Sequence, residues 1–395
     1  MKYKLVTLSP VHIGSGEQIS NWSYAYENGK IKIYSFDKVV RSLKDNHQKL
    51  LNLTAQIERN PLNKSLGDIL SSFRINVEPE YTVDFKGEIK RQRFDRNTRQ
   101  NITEYKPIWE FIKQNGKVYI PGTEIKGAIR TAVFYKILKD KFKEDEKLKQ
   151  KFLKEYENCI NVKDYRDERE KKKKIQNEFK KMSSRWENFA FRGDFYENDA
   201  KKDILKVFLI SDSDLKNPEE VLTIKDITAL GVSRHFEEPH ELVKAGSEFI
   251  VDLRVPFHEE HRKIFPQTYK YLGLKKIRES CSDFAIASIN ADIKYFKKTS
   301  QLNPEEKSRI INKLEQRKKL AESGVEKGYI LIRLGKHQGF LSTTINLLVK
   351  ELDKELYSKA YKYLVHKGYE EFPNKSRKLT IDNELLGWCV LLAAG

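Results

Sequence analysis

The chain has 395 residues, of which 39% are hydrophobic, and its 75 lysines and arginines against 57 aspartates and glutamates give a formal net charge of +18. This much apolar material excludes an intrinsically disordered chain, and the length suits two domains with insertions. The basic surplus favours a polyanionic partner, which is either nucleic acid or an anionic membrane surface. The alternative explanation, a proteome rich in Lys and Glu, accounts for many charges of both signs but less easily for a surplus of one sign. The longest apolar tract, LLGWCVLLAAG, is too short to span a bilayer, so we expect a cytoplasmic protein with no membrane partner.

The first hundred residues predict strands and a hairpin. Residues 3–8 (YKLVTL) indicate an opening strand, and the glycine-punctuated turn PVHIGSG follows it. Two aromatic-rich runs joined through Asn28-Gly29 give the strongest short hairpin signal in the chain. Residues 81–106 mix apolar and basic residues without a clear period, which suggests a long protruding loop or hairpin.

A helix is predicted after the turn at Pro121-Gly122. The apolar residues of IKGAIRTAVFYKI recur at the spacing of one helix face. Lys126 and Arg130 lie four residues apart at the start of this helix, with the helix-weakening Gly127 between them. These elements make up a predicted N-terminal domain over residues 1–140.

Residues 141–200 differ in character from the rest of the chain. They are dense in both charges and contain few apolar anchors, so we interpret them as a charged helical insertion that is solvated over most of its surface. The run Lys171–Lys174 is interpreted as a solvated face rather than a binding site.

Strand signals return after the insertion, in ILKVFLISDSDL and in the alternating EFIVDLRV. Helices are predicted from about Ser282 and from Pro304, and YILIRLGKHQGFLSTTINLLVKEL predicts a strand, a glycine loop and a helix. These elements form a predicted C-terminal domain over residues 201–395. Hairpins and helices on both sides of the insertion predict an α+β protein built from two sandwiches of the split βαβ kind.

Three glycine-containing turns, PVHIGSGE, IPGTEIKG and LGKHQGFLS, adjoin predicted strands or open a predicted helix. Free backbone N–H groups at such turns form a seat for an anion, and each turn also carries a basic or imidazole side chain. A single glycine turn before a helix is more often only a turn, so the candidate site depends on all three. The candidate binding residues are His12, Gly14, Gly16, Gly122, Lys126, Gly127, Arg130, Gly335, Lys336, His337, Gly339 and Ser342.

The sequence lacks the motifs that indicate a nucleotide or metal cofactor. LGKHQG has neither the Walker A spacing nor its ending, and the three cysteines form no CxxC pair. Asp212 and Asp214 share one face of a predicted strand but have no third ligand in view. Core or solvent roles are favoured for four histidines that fall in one region, namely His235, His240, His258 and His261. We therefore predict no cofactor and no metal site.

Four motifs together resemble the RAMP superfamily, the RNA-binding subunits of CRISPR effector complexes. In order, they are SPVHIGSG, IPGTEIKGAIRTA, LVKAGSEFIVDLRV and LGKHQGFLSTT. Their order and spacing are most similar to subunits of the type III-A Csm complex, and within it to the fifth subunit, which caps the backbone filament at the 3′ end of the guide RNA. The resemblance covers both halves of the chain but leaves out residues 140–200 and much of 280–325.

The resemblance implies two ferredoxin-like (RRM-like) domains whose glycine turns line an RNA groove. It also implies guide-RNA binding, contact with a neighbouring backbone subunit and a small helical subunit, and a role in trimming the 3′ end of the guide RNA through recruited nucleases. Such a chain is a non-catalytic subunit of an antiviral defence complex.

Two alternatives stay open from the residues alone. The first is a metal-independent endoribonuclease of the same superfamily that cuts CRISPR repeat RNA, with His12 or His337 as general acid or base. The second is a DNA-binding architectural protein, although the sequence has no helix-turn-helix or zinc signature.

Overall fold

The computed structural model describes residues 1–394 except 60–61, 96–98, 164, 198, 231–236, 256–262, 264–267, 343–345 and 365–377. The strands are β1 Lys2–Thr7, β2 Gly14–Ile19, β3 Tyr24–Glu27, β4 Lys30–Ile33, β5 Tyr81–Lys86, β6 Lys90–Asp95, β7 Gln100–Tyr105, β8 Ile108–Phe111, β9 Lys113–Gln114, β10 Lys117–Val118, β11 Leu209–Ile210, β12 Leu222–Ala229, β13 Glu238–Val243, β14 Glu248–Arg254, β15 Ile330–Arg333, β16 Lys378–Thr380 and β17 Trp388–Ala393. The helices are α1 Phe36–Ser42, α2 His47–Glu58, α3 Leu66–Ser72, α4 Gly122–Glu144, α5 Glu146–Ile160, α6 Glu168–Arg192, α7 Pro218–Val221, α8 Leu274–Lys298, α9 Pro304–Lys327, α10 Asn346–Leu352 and α11 Lys354–Leu364.

One sheet has the strand order β11-β14-β1-β17-β15. Its central strand, β1, is antiparallel to both neighbours, with Leu5 opposite Phe249 on one side and Leu391 on the other. The alternating residues Tyr3 and Leu5 are fully buried, because one face of this sheet packs on the core. The α+β class predicted from the sequence is confirmed by this sheet and the long helices α4, α8 and α9, which pack together beside it.

The second sheet has the order β2-β8-β13-β12-β5-β4-β3, with β16 paired to β12. The hairpin predicted at Asn28-Gly29 is confirmed, since β3 and β4 are antiparallel and both turn residues have positive φ. The pairs β12–β5 and β13–β8 are parallel, so strands that lie far apart in the sequence meet side by side. Two ferredoxin-like domains remain an implication of the resemblance.

Both sheets draw strands from both sides of the predicted insertion. Strand β1 pairs with β14 and β17, and β5 pairs with β12. The segments 1–140 and 201–395 therefore interleave within each sheet. The division into domains at residues 140 and 201 stays a prediction, and sequence boundaries alone cannot reveal pairing between strands hundreds of residues apart.

Residues 141–200 contain the helices α5 and α6, and most of their residues are at least partly exposed, yet one stripe of these helices also contributes to the main core. Phe152, Met182 and Trp186 are fully buried and belong to the same hydrophobic cluster as the residues of β1. The ring centroid of Trp186 lies 4.9 Å from that of Phe152 and 5.8 Å from that of Phe142 in α4. The apolar residues of α6 recur every three or four positions, which gives the helix a buried stripe despite its charge.

The protruding hairpin predicted within residues 81–106 is confirmed as β6 and β7, which form a two-stranded sheet of their own. None of the residues of β6 is buried, and the Phe94 side chain is 59% exposed. Across the helices that the structure describes, none is long and apolar enough to cross a membrane.

Candidate nucleic-acid interface

The turn after β1 and the loop after β15 are in direct contact. The backbone N–H of Lys336 donates to the carbonyl oxygen of His12 at 2.8 Å. A Cβ at Gly335 would collide with that same carbonyl oxygen, and Gly335 has a φ of +75°. Gly335 is therefore required for the approach of the two backbones to each other, and this part of the loop faces protein.

The loop at residues 335–339 has an unusual backbone. Gly335, His337 and Gly339 all have positive φ, at 75°, 69° and 92°. A positive φ is uncommon for a residue with a side chain, and alternation of left-handed residues along a short loop turns successive N–H groups to one side. The side-chain amide of Gln338 donates to the carbonyl oxygen of Gly335 at 2.7 Å and braces the loop.

Three histidines meet beside this loop. The Nε2 atoms of His337 and His240 lie 3.1 Å apart, and the ring of His12 lies 4.8 Å from that of His240 and 5.9 Å from that of His337. No sequence pattern indicates that His240 lies beside the two candidate histidines. The parallel pairing of β13 with β8 brings it there, opposite Trp109. The other histidines of its predicted group, His235, His258 and His261, lie outside the described residues.

Burial keeps these three imidazoles neutral. It lowers the pKa of His12 to about 4, that of His337 to about 3 and that of His240 to about 2, and the nearby lysines add to the effect. Nδ1 of neutral His12 donates to the carbonyl oxygen of Glu241 at 2.8 Å, and Nδ1 of His240 donates to that of Glu238 at 2.8 Å. In these tautomers each Nε2 is an acceptor, and Nε2 of His12 is buried without a hydrogen-bond partner among the described residues.

Amines and an indole surround the histidines. The Lys336 ammonium lies 5.5 Å from the centre of the Trp109 ring, and Trp109 stacks on His240 at 6.1 Å. Burial, with Lys336 nearby, lowers the pKa of the half-buried Lys378. The two amines favour an anion at this patch, and among the described residues no group of His, Cys, Asp and Glu side chains is arranged to hold a metal ion. The chemistry suits a phosphate with an adjoining base.

The other candidate residues of the turn after β1 and the loop after β15 differ in whether neighbouring atoms surround them. Gly16 has a φ of +100° and open space around it, whereas Gly14 lies against the amine of Lys336 and the ring of His12. Ser342 is buried and bonds to Ser288 at 3.0 Å and Arg333 at 3.1 Å. Ser342 therefore holds the loop in place, and this structural role replaces the predicted contact with RNA.

The start of α4 is packed tightly against the segment after β11. A Cβ at Gly122 would lie 2.6 Å from the carbonyl oxygens of Ile210 and Ser211. The N–H of Gly122 donates to the Asp212 carboxylate at 2.8 Å, and Asp214 accepts from the N–H of Ile250 at 2.7 Å. The carboxylates of Asp212 and Asp214, which were considered as metal ligands, thus accept hydrogen bonds from backbone N–H groups. Gly122 allows close packing of the helix at a position that was predicted to bind an anion.

The basic pair on α4 is split between two environments. The Arg130 guanidinium binds Asp203 at 2.9 Å and Glu187 at 3.3 Å, and it stacks 3.9 Å above the Phe191 ring. Its charge is compensated, so the structure argues against the predicted phosphate contact. Lys126 has no ion pair within the described residues, and burial lowers the pKa of its amine.

This arrangement agrees with comparisons to known proteins. The sequence model of the RAMP superfamily matches residues 4–378. The chain belongs to the RAMP superfamily. The family resemblance inferred from the four motifs is thereby confirmed.

Two curated relatives of this RAMP protein are named CRISPR system Cms protein Csm5. The one from Methanocaldococcus jannaschii is 32% identical over 139 residues, which cover 34% of this chain and 30% of that protein. The one from Streptococcus thermophilus is 31% identical over 135 residues, which cover 33% of this chain and 36% of that protein. The chain thus matches about a third of the length of these relatives.

Solved structures share the fold over almost the whole chain. The crystal structure of T. onnurineus Csm5 superposes with a TM-score of 0.67 at 20% identity, covering 98% of this chain and 99% of that one. A chain of the cryo-EM structure of a Csm-crRNA-target RNA ternary complex from a type III-A CRISPR-Cas system gives a TM-score of 0.67 at 21% identity, with coverage of 99% and 100%. At these identities the likeness concerns the fold.

Proposed function

We propose that this RAMP protein is the Csm5-type RNA-binding structural subunit of a type III-A CRISPR effector complex. The observation that carries the proposal is the meeting of the glycine turn after β1 with the loop after β15, at a patch that holds Lys336, Lys378 and Trp109. The similarity to Csm5 proteins and to a chain of a complex with crRNA supports the same assignment.

The physical basis is a combination of uncompensated cations and an aromatic ring. Lys336 and Lys126 have no ion pair in the part of the chain that the structure describes, so each can neutralise a phosphate without breaking an ion pair. Trp109 is half-buried and offers a surface on which a base can stack. Contacts of this kind bind single-stranded RNA with little preference for sequence.

The finer assignment follows the family. We propose that the chain caps the 3′ end of the guide-RNA filament, next to a backbone subunit and a small helical subunit. In that position it protects the guide RNA from over-trimming while recruited nucleases mature its 3′ end, in support of antiviral defence.

A non-catalytic role is part of the proposal. His12 is fully buried, and His337 is bonded to His240, so neither imidazole of the endoribonuclease alternative is free to reach a ribose hydroxyl. Labelled CRISPR repeat RNA incubated with the purified protein, with Mg²⁺ and with EDTA, should stay intact. Discrete cleavage that disappears in His337→Ala would instead support the endoribonuclease.

The binding surface is tested with Lys336→Ala in the full chain. Removal of one phosphate contact should lower the slope of log K against log salt by about 0.7 for single-stranded RNA, equally for all sequences. Lys173→Ala is the matched control, because it removes the same charge from an exposed position on α6. Equal salt slopes in wild type, variant and control would contradict the proposed surface.

The position in the complex is tested by isolating the protein with its native partners and sequencing the bound RNA. We expect guide RNAs whose protected 3′ ends shift when Lys336→Ala and Lys126→Ala are combined. Recovery of duplex DNA, or of RNA unrelated to CRISPR repeats, would contradict the assignment.

A further inference from the structure

The edge strand β2 carries a bulge in the second half of the first glycine motif. Gly14 lies opposite Phe111 of β8 and Gln18 lies opposite Trp109, so four steps along β2 match only two along β8. Gly16, between the two pairs, has a φ of +100°, and a Cβ on it would meet no described atom within 4 Å. A bulge leaves residues outside the hydrogen-bonded ladder of the sheet. The bulge is therefore the open part of the turn after β1.

Two carboxylates and one lysine connect this bulge to the interior of the sheet. The Ser15 hydroxyl donates to Oε2 of Glu110 at 3.0 Å, and the Lys113 ammonium donates to Oε1 of Glu110 at 3.2 Å. The same ammonium donates to Oε2 of Glu241 at 2.6 Å. The Ser15 hydroxyl also accepts from the N–H of Glu17 at 3.1 Å, which fixes the backbone inside the bulge.

The innermost member of this network, Glu241 on β13, is fully buried. Besides the Lys113 ammonium, its carboxylate accepts from the Tyr81 hydroxyl at 2.7 Å and from the N–H of Phe111 at 2.8 Å. Its backbone carbonyl accepts from Nδ1 of His12, at the other end of the same turn. A buried carboxylate with three donors has a fixed position, because any shift leaves a charge unsatisfied. Both ends of the turn are therefore attached to one rigid residue.

The charge of this network is unfavourable for RNA, although its geometry supports the turn. One ammonium lies between two carboxylates, so Glu110, Lys113 and Glu241 together carry a net negative charge. Glu110 is partly exposed and lies one hydrogen bond away from the bulge. Coulomb repulsion by such a carboxylate opposes an approaching phosphate. A benefit of Glu110 to RNA binding must therefore come from the shape that it gives to the bulge.

We infer that Glu110 is a positioning residue for RNA, an inference that rests on the proposed RNA-binding function. Glu110 acts through Ser15 and holds the bulge in the conformation that the RNA backbone contacts, while Lys113 and Glu241 hold Glu110 in place. Backbone N–H groups of a turn with a left-handed residue such as Gly16 can bind phosphate. A turn that is ordered before binding spares the free energy of ordering it on binding, so the network raises affinity.

The test uses a variant for which electrostatics and geometry predict opposite results. Glu110→Ala removes a negative charge beside the bulge, so electrostatics alone predicts tighter binding of single-stranded RNA. We expect binding that is weaker by roughly three- to tenfold, because a loosened turn must be ordered on binding. The slope of log K against log salt should stay unchanged, because no phosphate contact is lost.

Glu17→Ala is the matched control, because it removes the same charge from an exposed position in the same bulge. Its side chain carries none of the contacts that connect the bulge to β8, so RNA binding should be equal to that of wild type or slightly tighter. Glu110→Gln keeps an oxygen acceptor for the Ser15 hydroxyl and should recover most of the affinity that Glu110→Ala loses.

A double variant checks that the effect passes through Ser15. Ser15→Ala breaks the same hydrogen bond from the other side, so it should weaken binding to a similar extent and add little in the Glu110→Ala background. Ser15 is exposed and Glu110 is partly exposed, so we expect these variants to fold, and circular dichroism and thermal melts check this. Full additivity of the two losses would show that the residues act independently and overturns the inference.

The remaining outcomes separate this inference from its foundation. A folded Glu110→Ala that binds RNA as tightly as wild type or more tightly overturns the positioning role, as does an equal loss in Glu17→Ala. Weaker binding with a lower salt slope also overturns it, because that result indicates a lost phosphate contact. If the wild type binds no single-stranded RNA at any salt concentration, the proposed function itself fails. If Lys336→Ala lowers the salt slope and Glu110→Ala has no effect, only the positioning role fails.

Discussion

Two charge-rich segments of this protein differ in how far their apolar side chains are buried. Residues 146–192 form α5 and α6, which place Phe152, Met182 and Trp186 in the main core. The hairpin β6–β7 carries comparable charge, yet it forms a separate two-stranded sheet in which Arg91 and Arg93 pair with Glu104 across the strands.

The difference shows that the density of charge does not decide burial. In α6 the apolar residues keep the helical period, and the charges occupy the remaining faces. In β6 the sequence KRQRFD provides one apolar residue and no alternating face to bury. Periodicity of the few apolar residues, rather than their number, separates a core element from a protrusion.

Removal of a large aromatic ring from each segment tests this contrast most strongly. Trp186→Ala should lower the free energy of unfolding by about 3–5 kcal/mol, because it leaves a cavity among Phe142 and Phe152. Phe94→Ala, in the exposed hairpin, should change it by less than about 0.5 kcal/mol. Urea unfolding measures both values, and similar losses in the two variants would show that the hairpin also packs on a core.

Acid should destabilise the fold through the buried histidine cluster. Burial lowers the pKa of His12 to about 4 and that of His337 to about 3, from 6.5, so the unfolded chain binds protons that the folded chain refuses. The stability associated with the neutral histidines is complete above about pH 6.5 and is lost as the pH falls toward 4, by an amount on the order of 3 kcal/mol for each histidine.

Unfolding free energies measured between pH 7 and pH 4 check this expectation. His240→Gln should flatten the dependence on pH, because it removes one titrating member of the cluster. His47→Gln, at an exposed position in α2, is the control and should keep the wild-type slope. A wild-type slope in both variants would exclude the cluster as the origin of acid sensitivity.

The two basic residues on α4 are expected to differ in effect, since Arg130 contributes to stability and Lys126 to RNA binding. Arg130→Ala should cost about 1–2 kcal/mol of unfolding free energy, because it removes two partly exposed ion pairs and the stack on Phe191, and should leave the RNA salt slope unchanged. Lys126→Ala should do the reverse, with a salt slope lower by about 0.7. Loss of salt slope in Arg130→Ala would restore the original sequence prediction for this residue.

A small stabilising effect is expected at Gly127, near the start of α4. Gly127→Ala should raise the free energy of unfolding by about 0.5–1 kcal/mol, since the position is helical and open. Gly122→Ala is the contrasting variant and should destabilise, because its Cβ would press on two carbonyl oxygens. A destabilised Gly127→Ala, measured by thermal or urea unfolding, would indicate packing that the structure does not show.

Local elements of this fold could be predicted from the sequence, but their partners could not. The hairpin at Asn28-Gly29 and the helix after Pro121 follow from turn chemistry and period. The carboxylate that binds the N–H of Gly122 comes from Asp212, 90 residues further along the chain. Only the pairing of distant strands brings such groups together, and no local pattern encodes it.

For the candidate site, too, local features could be predicted from the sequence and long-range contacts could not. Motif order indicated the family, and the resemblance implied that the glycine turns line one groove. The structure places the turn after β1 and the loop at residues 335–339 in direct contact. The contacts of Arg130, Gly122 and Ser342 come from neighbours on other elements, so the charge, the backbone N–H or the hydroxyl group alone could not reveal them. His240 was missed for the same reason, because a parallel strand pair brings it to His337.

The place of β1 in the middle of its sheet has a consequence for biosynthesis. The N–H of Trp388 donates to the Ser9 side chain across 379 positions of sequence, and β17 completes one side of β1. Until β17 has been synthesised, β1 therefore has an unpaired edge that could capture another chain. We expect this sheet to be completed only once β17 has emerged from the ribosome, and the chain to benefit in the cell from a chaperone or from early assembly with a partner that shields the open edge.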